Sequence, residues 1–467
     1  MLPYSTSLEM FERLIQLMEL RWRTRDSDPG RIQTFLSSSL VKRYIHPYVF
    51  WKCRQSLTYS YQTSPFYHEL FKNAGIKPDD IKNPADMRKI PLTEPRHLTN
   101  PEQFFSVPSS NFVRVHSTAG STGTPKRIYF TAKDIEQQIT RDITGFRLFY
   151  GMNKEDRVRI MYDTGYGTND WGIRYCIENA VHRIGALAIT TGGMTSAEEE
   201  YRLLSKNKVN NIFGTPSRLH SLTCQLEQDY DLKSLKIKNI LVGAEPLLQS
   251  TRIRLENNWG ADVFQGYGLT ELGGSIAAEC QQKDGMHITE SDVFVEVIDP
   301  ETNEILENGN TGELVFTSLG REGMPLLRYR THDLGKIMEN DCPCGLPFHR
   351  IHIKGRNDTV FSIGSGDKIS PDALDAVLFA LPYVVDYQLI LERVRGKDTI
   401  TLLVKTNKQD KAIFKEIHDS LLKIPEIFHG VNNSMTINKP EIKIIKTDIC
   451  TKSVKAQRIL DKRQLFG

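Results

Sequence analysis

The sequence predicts an α/β protein of two domains, a large one over residues 1–355 and a small α+β one over residues 356–467. Three observations carry this. Between about residues 157 and 268, short apolar segments alternate with helix-period segments, the signature of βαβ units and parallel sheets. After about residue 292, apolar runs alternate with Asn/Gly-rich turns, which suits antiparallel strands. At "KGRNDT" (354–359) the pattern changes again, and a hairpin-like stretch and a helical one follow.

The elements follow in order. Leu8, Phe11, Leu14, Ile15, Leu17 and Met18 have the spacing of an amphipathic helix. The chain to about residue 105 reads as helical and aromatic-rich, with turns at Pro78, Pro84, Pro91 and Pro95. "NFVRV" (111–115) reads as a strand, and so do "RVRIMY" (157–162) and "ALAITT" (186–191). Ser196 caps a helix over 196–208. "VNNIFG" (209–214) is a strand, followed by a helix with Thr215 as cap and Pro216 in its first turn. "NILVGA" (239–244), a helix over 247–260 and "ADVFQGYG" (261–268) repeat the alternation. "DVFVEVID" (292–299) and "GELVFTSL" (312–319) open the antiparallel part. Residues 386–406 resemble a hairpin and 411–424 a helix.

Composition narrows the function. The chain has 467 residues, 39% hydrophobic and 25% charged, as expected of a soluble globular protein. A net charge of +3, with no long run of like charge, gives no reason to expect nucleic acid or an anionic membrane as partner. No segment approaches the roughly 18 apolar residues of a membrane span. Acids interrupt the apolar residues of the N-terminus, so a signal peptide's order is missing. The seven cysteines are an odd count without a dense framework, so the expected compartment is the cytoplasm and the expected thiols are reduced.

The run "STAGSTGTPK" (117–126) places hydroxylated, Gly and Pro residues in a row and ends them with a lysine. It can be neither a helix nor a central strand. Dense in N–H and O–H donors, it suits a polyanion such as phosphate, although it departs from the G-x-x-x-x-G-K-[ST] pattern and a surface linker would look similar. "GAEPL" (243–247) and "QGYGLTELGG" (265–274) are Gly-rich turns at the ends of expected parallel strands, where open α/β sheets bind ligands. Each carries an acid, Glu245 or Glu271, which beside a phosphate site calls for a divalent cation between them. Thr270 capping a helix with Glu271 in its first turn is the plainer reading of the second run. In "LLRYRTHDLG" (326–335), Asp333 sits in an expected Gly-ended turn, where an acid can accept two ribose hydroxyls or merely cap the turn.

Together and in this order, these motifs resemble the adenylate-forming superfamily of acyl-CoA synthetases, and in particular its phenylacetate–CoA ligase-like branch. "STAGSTGTPK", "GAEP", "GYGLTE", "MPLLRYRTHDLG", "CPCG" and "IKGRND" carry the likeness, which covers roughly residues 60 to 465. The resemblance implies an ATP-dependent acid–thiol ligase that forms an acyl-adenylate, expels pyrophosphate and passes the acyl group to a thiol, with coenzyme A as the leading acceptor. It makes residues 1–355 an adenylation domain with a barrel-like antiparallel part, and residues 356–467 a mobile domain. Ser117, Thr118, Gly120, Ser121, Thr122, Gly123 and Lys126 would hold the β/γ-phosphates. Gly243, Ala244 and Glu245 would line the adenine, and Tyr267, followed by Gly268, would stack on it. Thr270 would touch the α-phosphate and Glu271 would hold Mg²⁺. Asp333 would take the ribose hydroxyls with help from Arg356, and Asp358 would be the hinge. Lys455 aligns with the lysine that bridges carboxylate and phosphate; Val454 stands before it in place of the usual Gly, and Lys452 is the substitute.

The branch's aromatic acyl-pocket stretch corresponds to "TGYGTNDWG" (164–172), with Tyr166, Asn169, Asp170 and Trp171. Its added hydrogen-bonding groups suit a hydroxylated or amino-bearing aryl acid better than plain phenylacetate. Loading of an acyl carrier protein, adenylyl transfer without coenzyme A, and a non-catalytic nucleotide-binding module are the alternatives, and the oligomeric state, a homodimer included, is left open. Finally, Cys342 and Cys344 in a Cys-x-Cys-Gly turn, with Cys280 and His287, supply four ligands for a closed, structural Zn²⁺ site. His349 is the rival fourth ligand, and three unconnected cysteines are the plain alternative.

Overall fold

The structure, a computed structural model, describes residues 4–22, 29–117, 126–162, 172–190, 196–356, 361–364, 366–408, 410, 412–446 and 458–463. The chain divides into two compact units: Met1–Ile160, Gly167–Thr191 and Phe264–Lys354 form the first, and Met161–Tyr166, Gly192–Val263 and Gly355–Gly467 the second. One crossing between units falls at Lys354/Gly355, within the charged turn, while the segment 192–263 joins the C-terminal residues in the second unit.

The first unit begins with helices Tyr4–Trp22, Pro29–Leu36, Ser39–Thr63 and Pro65–Asn73. Leu8, Phe11 and Ile15 of the apolar stripe are buried, and the Phe11 ring meets Tyr44 and Tyr48. Short 3₁₀ helices then open at Pro78, Pro84, Pro95 and Pro101, because proline's fixed φ and missing donor suit a first helical position. Pro91 instead leads into Thr93, which bridges to Tyr329. Phe112–Ser117 and Arg127–Thr131 pair as an antiparallel hairpin. A capping box between Thr131 and Asp134 starts helix Ala132–Tyr150, and Gly151 ends it with φ +60°.

Strands Arg157–Ile160 and Leu187–Ile189 are parallel, with helix Gly172–Ile184 between them in the chain, a βαβ unit. Beyond residue 262 the expected antiparallel part is present. Its strands follow the order Val293–Ile298, Gly312–Ser318, Tyr329–Ile337, Arg350–Arg356, Met286–Ile288, Gly274–Glu279 and Asp262–Leu269. This run is open; it does not close into a barrel.

In the second unit, strands Asn211–Gly214 and Asn239–Val242 are parallel and buried at every residue, as doubly covered strands are. Helices Ala197–Lys206, Pro216–Leu226 and Gln249–Trp259 accompany them, the first two capped by Ser196 and Thr215. The C-terminal residues form a four-stranded sheet around the hairpin Val384–Val394/Lys397–Thr406, flanked by Glu441–Ile445 and Ile459–Asp461. Its turn is Arg395-Gly396, both residues at positive φ, the geometry whose twist matches paired strands. Helices Pro371–Leu378, Ala412–Leu421 and Pro425–Asn432 complete it. This part packs on helix Pro216–Leu226: His220 Nε2 lies 3.0 Å from the Val384 carbonyl, and the Asn407 amide donates to the Cys224 carbonyl at 3.2 Å. Among the described residues, no helix is long and apolar enough to cross a membrane.

Asp142, on the buried face of helix Ala132–Tyr150, is pushed up to about 7, first by burial and then by the charge of Asp292, against the pull of Arg141. The folded chain therefore keeps a proton there that the unfolded chain sheds near pH 4, so stability is lost as pH rises from about 4 to about 7. Asp142→Asn should match the wild type near pH 4 and be the more stable of the two at pH 8, by a few kcal/mol at most. Thermal unfolding across that range checks it; an unchanged difference at both ends would show that Asp142 does not titrate in this window.

Candidate active site

The site elements fall into two sets, one in each unit. In the first unit, the hairpin pairs Ser117 with Arg127, the residues that flank most of the hydroxyl-rich run in the chain. Thr118, Gly120, Ser121, Thr122 and Gly123 lie outside the described residues. Lys126, the cation that ends the run, is described, and its Nζ lies 3.4 Å from Glu271 Oε1.

Glu271 lies in a single-turn helix, Thr270–Leu272, that follows strand Asp262–Leu269. It is 8% exposed. The Tyr329 hydroxyl donates to the same Oε1 at 2.9 Å, and the Arg321 guanidinium donates to the Glu271 backbone carbonyl. Arg321 is itself buried over the Phe130 ring, and burial pushes it down to about 10. The reading of Thr270 as a helix cap does not hold. Leu269 precedes the turn, and no side chain caps it. Gly268 has a steric reason: a Cβ there would run into the Gly274 carbonyl of the paired strand.

Asp333 sits within strand Tyr329–Ile337 and not in a Gly-ended turn. The turn signal in "THDLG" is a bulge: the pairing slips between Glu313 and Val315, and His332 adopts φ +62°. Gly335 is required by closeness, since a Cβ there would crowd the His352 carbonyl. The bulge is held by the His332 amide donating to Glu313 at 2.9 Å and the Asp333 amide donating to Thr331 Oγ1 at 3.0 Å. It aims Asp333 so that its Oδ2 accepts from the Tyr267 hydroxyl at 2.6 Å. The Asp333 carboxylate and the Tyr267 phenol are thus joined directly, a contact between two motifs 66 residues apart.

In the second unit, Gly243, Ala244 and Glu245 follow strand Asn239–Val242. Ala244 takes φ +68°, and Glu245 accepts from the Ser217 amide at 3.0 Å. Arg356, half-buried, ends strand Arg350–Arg356. Tyr166, Asn169, Asp170, Trp171, Asp358, Lys452 and Lys455 lie outside the described residues. Tyr329 and Arg321 escaped the sequence reading: Tyr329 stands in a quoted motif but has no periodic or turn signal, and Arg321 lies in none.

Away from these groups, Cys280, His287, Cys342 and Cys344 converge, with their ligand atoms all within 4.8 Å of one another. Cys280 and Cys342 sulfurs are 3.7 Å apart, and Cys344 Sγ is 3.3 Å from His287 Nε2. His287 Nδ1 faces the Phe348 carbonyl at 3.1 Å, a contact that leaves Nε2 turned toward Cys344. Gly345 takes φ +84° and allows the tight turn. His349, the rival ligand, is not in this set and pairs with Glu290.

An open antiparallel run, parallel βαβ elements, a lysine that ends a hydroxyl-rich run and meets a buried glutamate, and the Asp–Tyr pair are the features of an adenylate-forming enzyme. Residues 27–320 match the AMP-binding enzyme family, and the chain belongs to that family. It is 32% identical to the phenylacetate–coenzyme A ligase of Aromatoleum evansii, over 88% of this chain and 93% of the relative. It is 28% identical to the enzyme of the same name from Escherichia coli (strain K12), over 89% and 94%. A solved 2-hydroxyisobutyryl-CoA ligase shares the fold, with a TM-score of 0.77 at 20% identity over 90% of each chain. The protein is an AMP-forming acid–thiol ligase.

Glu271→Ala should lower the turnover of the ligase by roughly 10²-fold, with the circular dichroism spectrum unchanged. Wild-type turnover in that variant would reduce Glu271 to a structural residue of its turn.

Proposed function

We propose that the protein uses ATP and Mg²⁺ to convert an aryl carboxylic acid into its acyl-adenylate and then passes the acyl group to coenzyme A, in the cytoplasm. The observation that carries this reading is the pairing of Lys126 with Glu271: the cation that closes a donor-rich loop meets a buried carboxylate. A triphosphate laid along the loop offers Lys126 its negative oxygens and leaves Glu271 for a divalent ion. The donor chemistry of Glu271 fits Mg²⁺, which takes carboxylate and phosphate oxygens together and supplies charge neutralisation.

In the first half-reaction an oxygen of the acid attacks the α-phosphorus, the bond to the pyrophosphate oxygen breaks, and pyrophosphate leaves. In the second the sulfur of coenzyme A attacks the acyl carbon, its proton is lost, and AMP leaves. Both steps depend on positioning and charge. Ser117, Thr118, Gly120, Ser121, Thr122, Gly123 and Lys126 bind the β/γ-phosphates. Thr270 binds the α-phosphate. Tyr267, Gly243, Ala244 and Glu245 hold the base, and Asp333 with Arg356 holds the ribose. Lys455, with Lys452 as its substitute, bridges the carboxylate and the phosphate. Residues 356–467 act as the small mobile domain and swing about Asp358, which requires the contacts of His220 and Asn407 to exchange. Tyr166, Asn169, Asp170 and Trp171 select a hydroxylated or amino-bearing aryl acid.

The Cys280/His287/Cys342/Cys344 set holds a structural zinc ion, since three thiolates and one imidazole close a tetrahedron without a place for water. Protein purified without chelator should carry one zinc per chain that Cys342→Ser loses. A zinc content far below one, or one unaffected by that substitution, would remove zinc from the reading.

Pyrophosphate release across a panel of aryl acids, with thiol-dependent AMP release measured separately with coenzyme A and a carrier protein, tests the function. Hydroxy- or amino-aryl acids should exceed phenylacetate. Lys455→Ala should lose adenylation yet still form thioester from a supplied acyl-adenylate, because its charge matters only while a carboxylate approaches a phosphate. Full adenylation in that variant moves the role to Lys452.

A further inference from the structure

His46, Glu290 and His349 come together from three separate parts of the first unit. His46 lies on helix Ser39–Thr63, Glu290 follows strand Met286–Ile288, and His349 precedes strand Arg350–Arg356. Their ligand atoms all lie within 4.8 Å of one another. His349 Nδ1 is 2.6 Å from Glu290 Oε1, and His46 Nδ1 is 3.6 Å from the same oxygen. The two ring centroids are 4.3 Å apart, with the planes tilted by 43°. The Glu290 side chain is 6% exposed, whereas that of His46 is 45% exposed.

We propose that His46, Glu290 and His349 form a second divalent transition-metal site, separate from the Cys-rich one. Both imidazoles turn the same nitrogen toward one carboxylate oxygen; His349 hydrogen-bonds it directly, and a shared cation would replace that bond and engage His46 as well. A buried carboxylate needs compensation, and one divalent ion supplies it to all three groups while both rings stay neutral. Two nitrogens and one oxygen select Zn²⁺, Co²⁺ or Ni²⁺ over Mg²⁺ or Ca²⁺, which take oxygen ligands. Three ligands with an exposed histidine leave a coordination position for water, unlike the closed Cys₃His set. The two sets share no ligand, although both draw on residues 287–290 and 342–349. The second adds the helix carrying His46, so its ion ties that helix to these segments. It exchanges more readily, because a solvent-facing ligand dissociates more easily than a buried one.

The experiment uses full-length protein as purified, titrated with Co²⁺ and followed by visible absorption and by metal analysis after desalting. The wild type should take up one saturable equivalent whose bands lack thiolate-to-cobalt charge transfer. His46→Gln, a change at an exposed position that leaves the fold in place by circular dichroism, should bind that equivalent at least about 10-fold more weakly. Glu290→Gln should lose it as well, and Cys342→Ser should retain it. Equal uptake by wild type and His46→Gln, no saturable equivalent, or an equivalent showing thiolate charge transfer overturns the proposal.

Discussion

Glu271 is a carboxylate held almost entirely out of water, and such a group persists only when its oxygens are shared. Tyr329 and Lys126 share one of them, and Arg321 holds the backbone of the same residue. This arrangement constrains three distant pieces of chain: the base of the hydroxyl-rich hairpin, the turn after strand Asp262–Leu269, and the strand that also carries Asp333. Tyr329 and Asp333 lie in one strand, and the bulge between them sets their relative aim. Moving Tyr329 to satisfy Glu271 differently would therefore also move the acid that Tyr267 bonds. The site is a set of side chains whose directions are fixed by one strand irregularity and one buried acid.

Much of this was legible in the sequence because local rules carried it. Ser196 and Thr215 cap helices at positions where a hydroxyl accepts from the third residue on. The buried parallel strands read as continuous apolar runs. The Gly-rich motifs announced irregular backbone, and Gly268 is glycine because a neighbouring strand passes too close for a side chain. The misreading of "THDLG" has the same origin. A bulge and a turn both call for a residue that tolerates tight backbone, so Gly335 signals irregularity without saying which kind.

What could not be read was pairing across the fold. Tyr329 with Glu271, and His46 with Glu290 and His349, join residues 58 and more than 240 positions apart. Neither periodicity nor turn chemistry records such a meeting. The metal-ligand reading of the cysteines came closest, because thiols in a Cys-x-Cys-Gly turn have few other uses. Even there the histidine was ambiguous between His287 and His349, and the structure divides them: one faces the sulfurs and the other a carboxylate.

In the second unit, a buried cation has an ordering role like that of Glu271. Arg458 is 6% exposed and lies against the Phe379 and Tyr387 rings. Its guanidinium pairs with Asp375 at 3.3 Å and also with Asp386. Removing it would leave two acids facing apolar rings, a loss far larger than that of an exposed ion pair. Burial pushes Asp375 up to about 6 despite that partner, which indicates how much of the cation's attraction is spent against desolvation. Arg458 is the first described residue after the segment that contains Lys455, and it leads directly into strand Ile459–Asp461. One end of that segment is therefore pinned by a buried pair and by a parallel strand pairing with Leu389–Leu391. Lys455 stands three residues before this anchor in the chain.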